Sequence, residues 1–305
     1  MTHYARRYRR IARSLSRADL MRRSMDVTFT LDDINLDKRN DGRRFLDFYS
    51  EEGIRLALER YGLTAALGRR GYADFEMYTS ADDERHTLIL STDVDGRTLH
   101  LMELVVRRDQ LLPDPPGELP ALGRDIETLT VDWLALQDPR GLFSERRPRL
   151  PGQALPGLGI GERVMEMLYR VVDRLGLDTL VTVPDHFHNA ALYGRELPFL
   201  DPWYGGQLQR LQTVLMTEEE LSLSQASWAV EWGHVHQGEG PPLRWRGQLM
   251  VAPRGKSLEA YFGSREYKAE VRRVAEHVDY RLDREAFEAR WAESEAAFTS
   301  ALLGG

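Results

Sequence analysis

The stretch from Pro156 to Tyr193 constrains this chain more than any other. It runs Pro-Gly-Leu-Gly-Ile-Gly, an amphipathic segment, a short apolar segment, then Asn-Ala-Ala-Leu-Tyr. Gly157, Gly159 and Gly161 come just before residues 162–175. There Val164, Leu168, Val171 and Leu175 recur at helical spacing, while Glu162, Arg163, Glu166, Arg170 and Asp173 fall mainly on the other side. That spacing predicts an amphipathic helix packed on another layer. Gly176 closes it, and residues 177–183, ended by Pro184, read as a strand. A glycine turn opening a helix lets backbone approach a ligand closely, and the free N–H groups of the first turn favour phosphate. The dinucleotide fingerprint has a different glycine spacing and no Gly-Lys-Ser/Thr is read, so neither a Rossmann site nor a P-loop is expected. A loop that merely needs positive φ values stays the alternative.

With 305 residues, 42% hydrophobic and 29% charged, the chain has material for one large or two modest domains. No apolar run reaches the length of a membrane span. Cysteine is absent, which excludes disulfides, thiolate metal sites and cysteine nucleophiles. No secretory signal is read at the N-terminus, and a cytoplasmic setting is the default expectation. Arginine nearly replaces lysine, as genome composition would dictate in a bacterial source. The net charge is −7, yet residues 1–27 carry eight arginines against Asp19 and Asp26. Tyr4, Tyr8, Ile11, Ala12 and Leu15 form a narrow apolar stripe there. Such a helix suits nucleic acid, an anionic membrane surface, an acidic partner, or the acidic remainder of its own chain. The reading adopted is that the segment lies on the acidic body of its own chain or is simply a solvated tail, and nucleic acid is not expected as a partner.

Residues 28–42 are polar and irregular, with turn signals at Asp32-Asp33 and Asp41-Gly42. Residues 44–67 read as one or two helices broken at Gly62, and 86–92 with 98–106 as a hairpin around Asp93-Val-Asp-Gly96. Residues 111–124 are a proline-rich extended connection, and 129–136 a strand. Beyond Pro202 the character changes. Thr217-Glu-Glu-Glu220 reads as a capping box opening a helix, 243–251 as a strand, and Tyr267–Val278 and Phe287–Phe298 as helical stripes. The last stripes suit core packing, a homodimer seam or a protein partner.

The order of these features resembles the GCN5-related N-acetyltransferases. The family loop Gln/Arg-x-x-Gly-x-Gly/Ala is matched by Pro156-Gly-Leu-Gly-Ile-Gly161 except at its first position. The strand before it, the helix and strand after it, and Asn189-Ala-Ala-Leu-Tyr193 also correspond. The resemblance covers roughly residues 43–200 and is specific from about 129 to 199. It implies a mixed central sheet flanked by helices, in the α/β (α+β) class, over 43–202. A basic helix and polar connector (1–42) would precede that core and a helix-rich C-terminal portion (203–305) would follow. It implies acetyl-CoA or another acyl-CoA as a small-molecule partner, its pyrophosphate on Gly157, Leu158, Gly159, Ile160, Gly161 and Glu162. Its pantetheine arm would lie along Leu134 and Leu136, near Asn189. Tyr193 is implied as the acid that protonates the departing thiolate. Pro156 departs from the family pattern, as do the nineteen residues from Asp138 to Pro156 inserted between strand and glycines.

Arg146 and Arg147, within that insertion, could bind phosphate in compensation. His186 and His188, two apart, and Glu103 are the candidate general bases for attack by an amine; Asp132 is a further one. His234 and His236 repeat the histidine spacing, but two loose pairs so far apart define no metal site and none is assigned. Hydrolase, zinc-protease and kinase signatures are missing. Two functions are carried forward: an acyl-CoA-dependent N-acyltransferase acting on an unidentified amine, and a catalytically inactive binding or interaction module of the same fold.

Overall fold

The computed structural model describes residues 3–22, 44–82, 84–94, 96–111, 122 and 125–303. The turns read at 28–42 and nearly all of the connection at 111–124 lie outside the described residues. The chain is of mixed α/β type, and its contacts divide it into two compact units that interleave along the sequence.

The first unit comprises Met1–Leu111, Ile126–Pro139 and Gly157–Leu180. Its basic N-terminal segment forms α1 (Ala5–Ser14) and α2 (Arg17–Met21), the latter opened by a Ser16–Asp19 capping box. Next come α3 (Glu51–Arg60) and α4 (Leu63–Gly68), separated at Gly62, whose φ of +76° supplies the break that the sequence signals. Residues 44–50 precede α3 as turns rather than helix. Four strands follow: β1 (Phe75–Ala81), β2 (His86–Val94), β3 (Arg97–Leu111) and β4 (Ile126–Leu136), each antiparallel to the next. The hairpin turn is fixed by the Gly96 N–H donating to the Asp93 carboxylate at 3.0 Å. In β2, His86, Leu88 and Leu90 alternate inward, the period-2 pattern of a half-buried strand.

After β4 the chain crosses over through α5 (Gly161–Leu175), which ends at Gly176 with φ +71°, and enters β5 (Thr179–Thr182). The sheet order is β1-β2-β3-β4-β5-β7, where β7 is Met250–Val251. The sheet is mixed and its other four pairs are antiparallel, so β4 and β5 are the parallel pair, as a helical crossover requires. They meet at their starts, where the Asp178 N–H donates to the Glu127 carbonyl at 2.8 Å. The Asp178 carboxylate accepts the Glu127 N–H at 3.0 Å. β5 has four residues against eleven in β4, so it covers only the first part of its neighbour.

The second unit comprises Leu112–Asp125, Arg140–Pro156 and Val181–Gly305. It contains α6 (Phe187–Tyr193), α7 (Pro202–Gln212), a π-helical turn (Thr213–Glu218) and α8 (Leu223–Glu231). Then follow β6 (Val235–Gln237), β7, α9 (Gly255–Gly263), α10 (Arg265–His277), β8 (Tyr280–Leu282) and α11 (Arg284–Leu303). β6 and β8 pair as a small antiparallel ribbon. Two sequence expectations are corrected here. The capping box is Ser222 with Gln225, not Thr217 with Glu220: Thr217 lies inside the π-turn and Glu220 takes φ +55°, which stops that helix. Of the strand read at 243–251 only Met250–Val251 is strand; Trp245 before it instead donates its indole N–H to the Pro184 carbonyl at 3.0 Å.

Candidate functional site

In the first unit the chain folds back onto the end of β4 before it enters α5. The Leu136 carbonyl accepts the Leu158 N–H at 3.2 Å, and Gln137 bridges to Gly157. Leu158 and Ile160 are buried and anchor the turn. Gly159 takes φ +63°, a conformation that side-chain-bearing residues rarely adopt. No side chain caps α5, and the helical ladder starts with Arg163 and Val164, both donating to the Ile160 carbonyl. Among the described residues, the N–H groups of Gly159, Ile160, Gly161 and Glu162 therefore have no acceptor. Four open donors at a fifteen-residue helix start form a field suited to an anion. Leu158 is not among them, since its N–H goes to the carbonyl of Leu136, on the strand expected to lie along a pantetheine arm.

A cation stands beside this turn. A Cβ on Gly159 would lie 3.1 Å from Nη2 of Arg70, so the guanidinium rests against the bare face of that glycine. Arg70 is positioned by Asp138, whose carboxylate receives its Nη1 at 3.3 Å and the Tyr72 hydroxyl at 2.6 Å. Asp138 and Tyr72 are both buried while Arg70 stays one-third exposed, so a fixed carboxylate holds a reachable cation. Sequence reasoning missed Arg70: it belongs to no motif and lies far from the glycines along the chain. Glu162 weighs in the other direction. Its carboxylate, in the first turn of α5, accepts the His3 N–H at 2.6 Å and adds negative charge near the donors. Leu134 lies on β4 opposite Leu104 of β3. Glu103 on β3 accepts the Trp133 indole N–H at 3.2 Å and is partly exposed. Asp132 is tied to Arg107 and Arg85.

The remaining candidates belong to the second unit. His186 is the residue before α6 and His188 lies within its first turn. The rings stack, with centroids 5.3 Å apart and planes 11° from parallel. His186 Nδ1 lies 3.2 Å from the Glu231 carboxylate. His188 is buried, its Nδ1 has no partner among the described residues, and burial, with His186 alongside, pulls its pKa down to about 4. It is a neutral and weak base at pH 7. Asn189 gives its backbone N–H to the His186 carbonyl at 3.1 Å. Tyr193 ends α6, and burial, then Asp185, raises its pKa and keeps its proton on.

Arg146 and Arg147 are exposed on a tight turn closed by mutual backbone bonds between Ser144 and Arg147. His234 packs among Trp232 and Phe287, and burial lowers its pKa. Among the described residues no three His, Asp or Glu groups gather as a metal site. The expectation that no Gly-Lys-Ser/Thr is present is corrected: Gly255-Lys256-Ser257 opens α9. Met250 stands where a P-loop needs its first glycine, and the Ser257 hydroxyl donates to the Leu122 carbonyl at 3.2 Å.

What the first unit presents is a turn with open N–H donors and an oriented arginine, and the second a half-exposed His186 stacked on a buried His188 and a protonated tyrosine. No helix among the described residues is long and apolar enough to cross a membrane. Compared with known proteins, the chain matches no family profile, no curated protein and no solved structure.

Proposed function

We propose that the chain is an acyl-CoA-dependent N-acyltransferase-like protein, acting on an unidentified amine. The observation that carries this reading is the open start of α5: four unpaired N–H groups, a left-handed Gly159 and the Arg70 guanidinium against it. A pyrophosphate needs that combination of directed donors and one cation, and guanidinium is suited to paired phosphate oxygens. Arg70 thus supplies the charge that Pro156 withholds. The order of elements, an antiparallel run joined to a parallel pair through a helix, supports the same reading. In acyl transfer the amine nitrogen attacks the thioester carbonyl and gives up one proton to water, the carbon–sulfur bond breaks, and the thiolate takes a proton. The family resemblance implies Tyr193 for that donation, and burial keeps its proton on.

Thermal melting with acetyl-CoA tests the binding step. Ligand at a hundred times its dissociation constant stabilises by about 2.7 kcal/mol, and Arg70→Gln reduces the affinity roughly tenfold or more. An absent shift in the wild type removes the reading. Replacing both Arg146 and Arg147 by Glu decides whether the exposed turn also contributes. A catalytically inactive binding module is the second reading, favoured by His188, whose pKa near 4 leaves it a poor base. A melting shift without turnover on a panel of amines, unaltered by Tyr193→Phe, supports it.

A further inference from the structure

The second unit contains a cleft that acyl transfer does not use. Its volume is about 390 Å³, within the range of small-molecule pockets. Phe199, Leu208 and Met250 give it apolar walls, and Arg195, Gln209 and Gln212 bring polar side chains to it. Arg195 is the single charged residue of that lining. Its guanidinium has no ion pair or hydrogen bond among the described residues, unlike Arg210 on the neighbouring helix, which is paired to Glu218 at 2.6 Å. The Tyr267 hydroxyl at the cleft wall is already committed to the Phe199 carbonyl at 2.7 Å. The ligand-facing hydrogen-bond capacity therefore lies in one cation and two neutral amides.

The backbone beside the cleft is unusual too. The Thr213–Glu218 segment winds as a π-turn instead of continuing α7, and Met216 of that turn lines the cleft. Single π-turns are rare and concentrate at functional sites. Thioether side chains adapt to irregular apolar ligands.

We propose that this cleft binds a small amphipathic monocarboxylate, its apolar body along Phe199, Leu208 and Met250 and its carboxylate on Arg195, with Gln209 and Gln212 donating. One free guanidinium matches a single negative charge and repels a cation. A dry cavity of about 150 Å³ takes up benzene, so this cleft accommodates about fifteen non-hydrogen atoms on the same scale. A medium-chain fatty acid has that size and polarity. The inference uses residues of the second unit alone and stands whether or not the glycine turn binds acyl-CoA.

The test titrates decanoate into the full chain carrying 13C-methyl methionine, with decanol and decyltrimethylammonium as neutral and cationic counterparts. Saturable shifts of the Met216 and Met250 methyl signals are expected with decanoate, while Met77 and Met102 of the first unit stay in place. Arg195→Gln raises the decanoate Kd at least tenfold and leaves decanol binding unchanged; Arg195→Lys restores part of the affinity. Arg195 is exposed, and an unchanged melting curve verifies that each variant is folded. An absence of saturable shifts at Met216 and Met250 overturns the proposal. So does equal decanoate affinity in Arg195→Gln, or decyltrimethylammonium binding as tightly as decanoate.

Discussion

His188 shows how much a single buried side chain can set. Its Nδ1 has no partner among the described residues and the side chain is buried, so the fold holds the ring neutral. The pKa falls from the ordinary 6.5 to about 4, through burial first and the stacked His186 second. The groups facing it, His186 and through it Glu231, lie on the start of α6 and on α8. Below pH 6.5 the unfolded chain takes up a proton that the native chain refuses. This contribution to stability is complete above pH 6.5 and is lost as the pH falls towards 4, to the extent of about 3 kcal/mol. Urea unfolding of His188→Phe should lose correspondingly less stability than the wild type between pH 6.5 and 4. At pH 7 the two should be within about 1 kcal/mol, because no hydrogen bond to Nδ1 is sacrificed. Parallel pH profiles for the two proteins would refute the account.

At the level of elements, close approach of backbones decides which helices can pair. A Cβ at Gly53 in α3 would lie 2.1 Å from the Leu20 carbonyl oxygen of α2, and the same carbonyl accepts the Ser50 N–H at 2.9 Å. Gly53→Ala must therefore push α2 away, at a cost of about 2 kcal/mol or more from overpacking. Gly68 in α4 has open space around the corresponding position and no positive φ, so Gly68→Ala serves as control and should be neutral or slightly stabilising. Limited trypsin digestion distinguishes them: Gly53→Ala should open the chain to cleavage after Arg17, while Gly68→Ala keeps wild-type protection. The sequence reading placed the break at Gly62 and the hairpin turn at Asp93–Gly96 because both need local backbone conformations that few residues supply. It did not foresee β1, since Phe75–Ala81 offers no clean alternation and leaves Tyr78 largely exposed. The cap at Thr217 was misread because Ser222-x-x-Gln225 meets the same local rule five residues later, and only packing selects between them.

Across the whole molecule, the arginine-rich N-terminal segment is part of the first unit. Tyr8 is fully buried and donates its hydroxyl to the Tyr61 carbonyl at 2.8 Å. Arg174 of α5 donates to the Ala12 carbonyl at 2.6 Å, and the Arg163 guanidinium sits 4.3 Å from the Tyr4 ring centroid. Removing residues 1–22 should lower the urea midpoint of the first unit, and Tyr8→Ala alone should cost on the order of 3 kcal/mol. A truncated chain with the wild-type midpoint would show the segment to be a tail. The stripe Tyr4, Tyr8, Ile11 was legible as helical. That it would be matched by α5 was not, because many acidic or aromatic surfaces satisfy such a stripe equally well.

By itself the sequence determined the local conformations: the amphipathic α5, the glycine that ends it, the Asp-Gly hairpin and the helix-rich second half. These follow from spacing and from backbone demands that neighbouring residues satisfy alone. Only the tertiary structure decided that Arg70, held by Asp138, stands over Gly159, and that Arg195 has no partner among the described residues beside its cleft. Those are encounters between segments distant along the chain, and their geometry is set by which layers pack together.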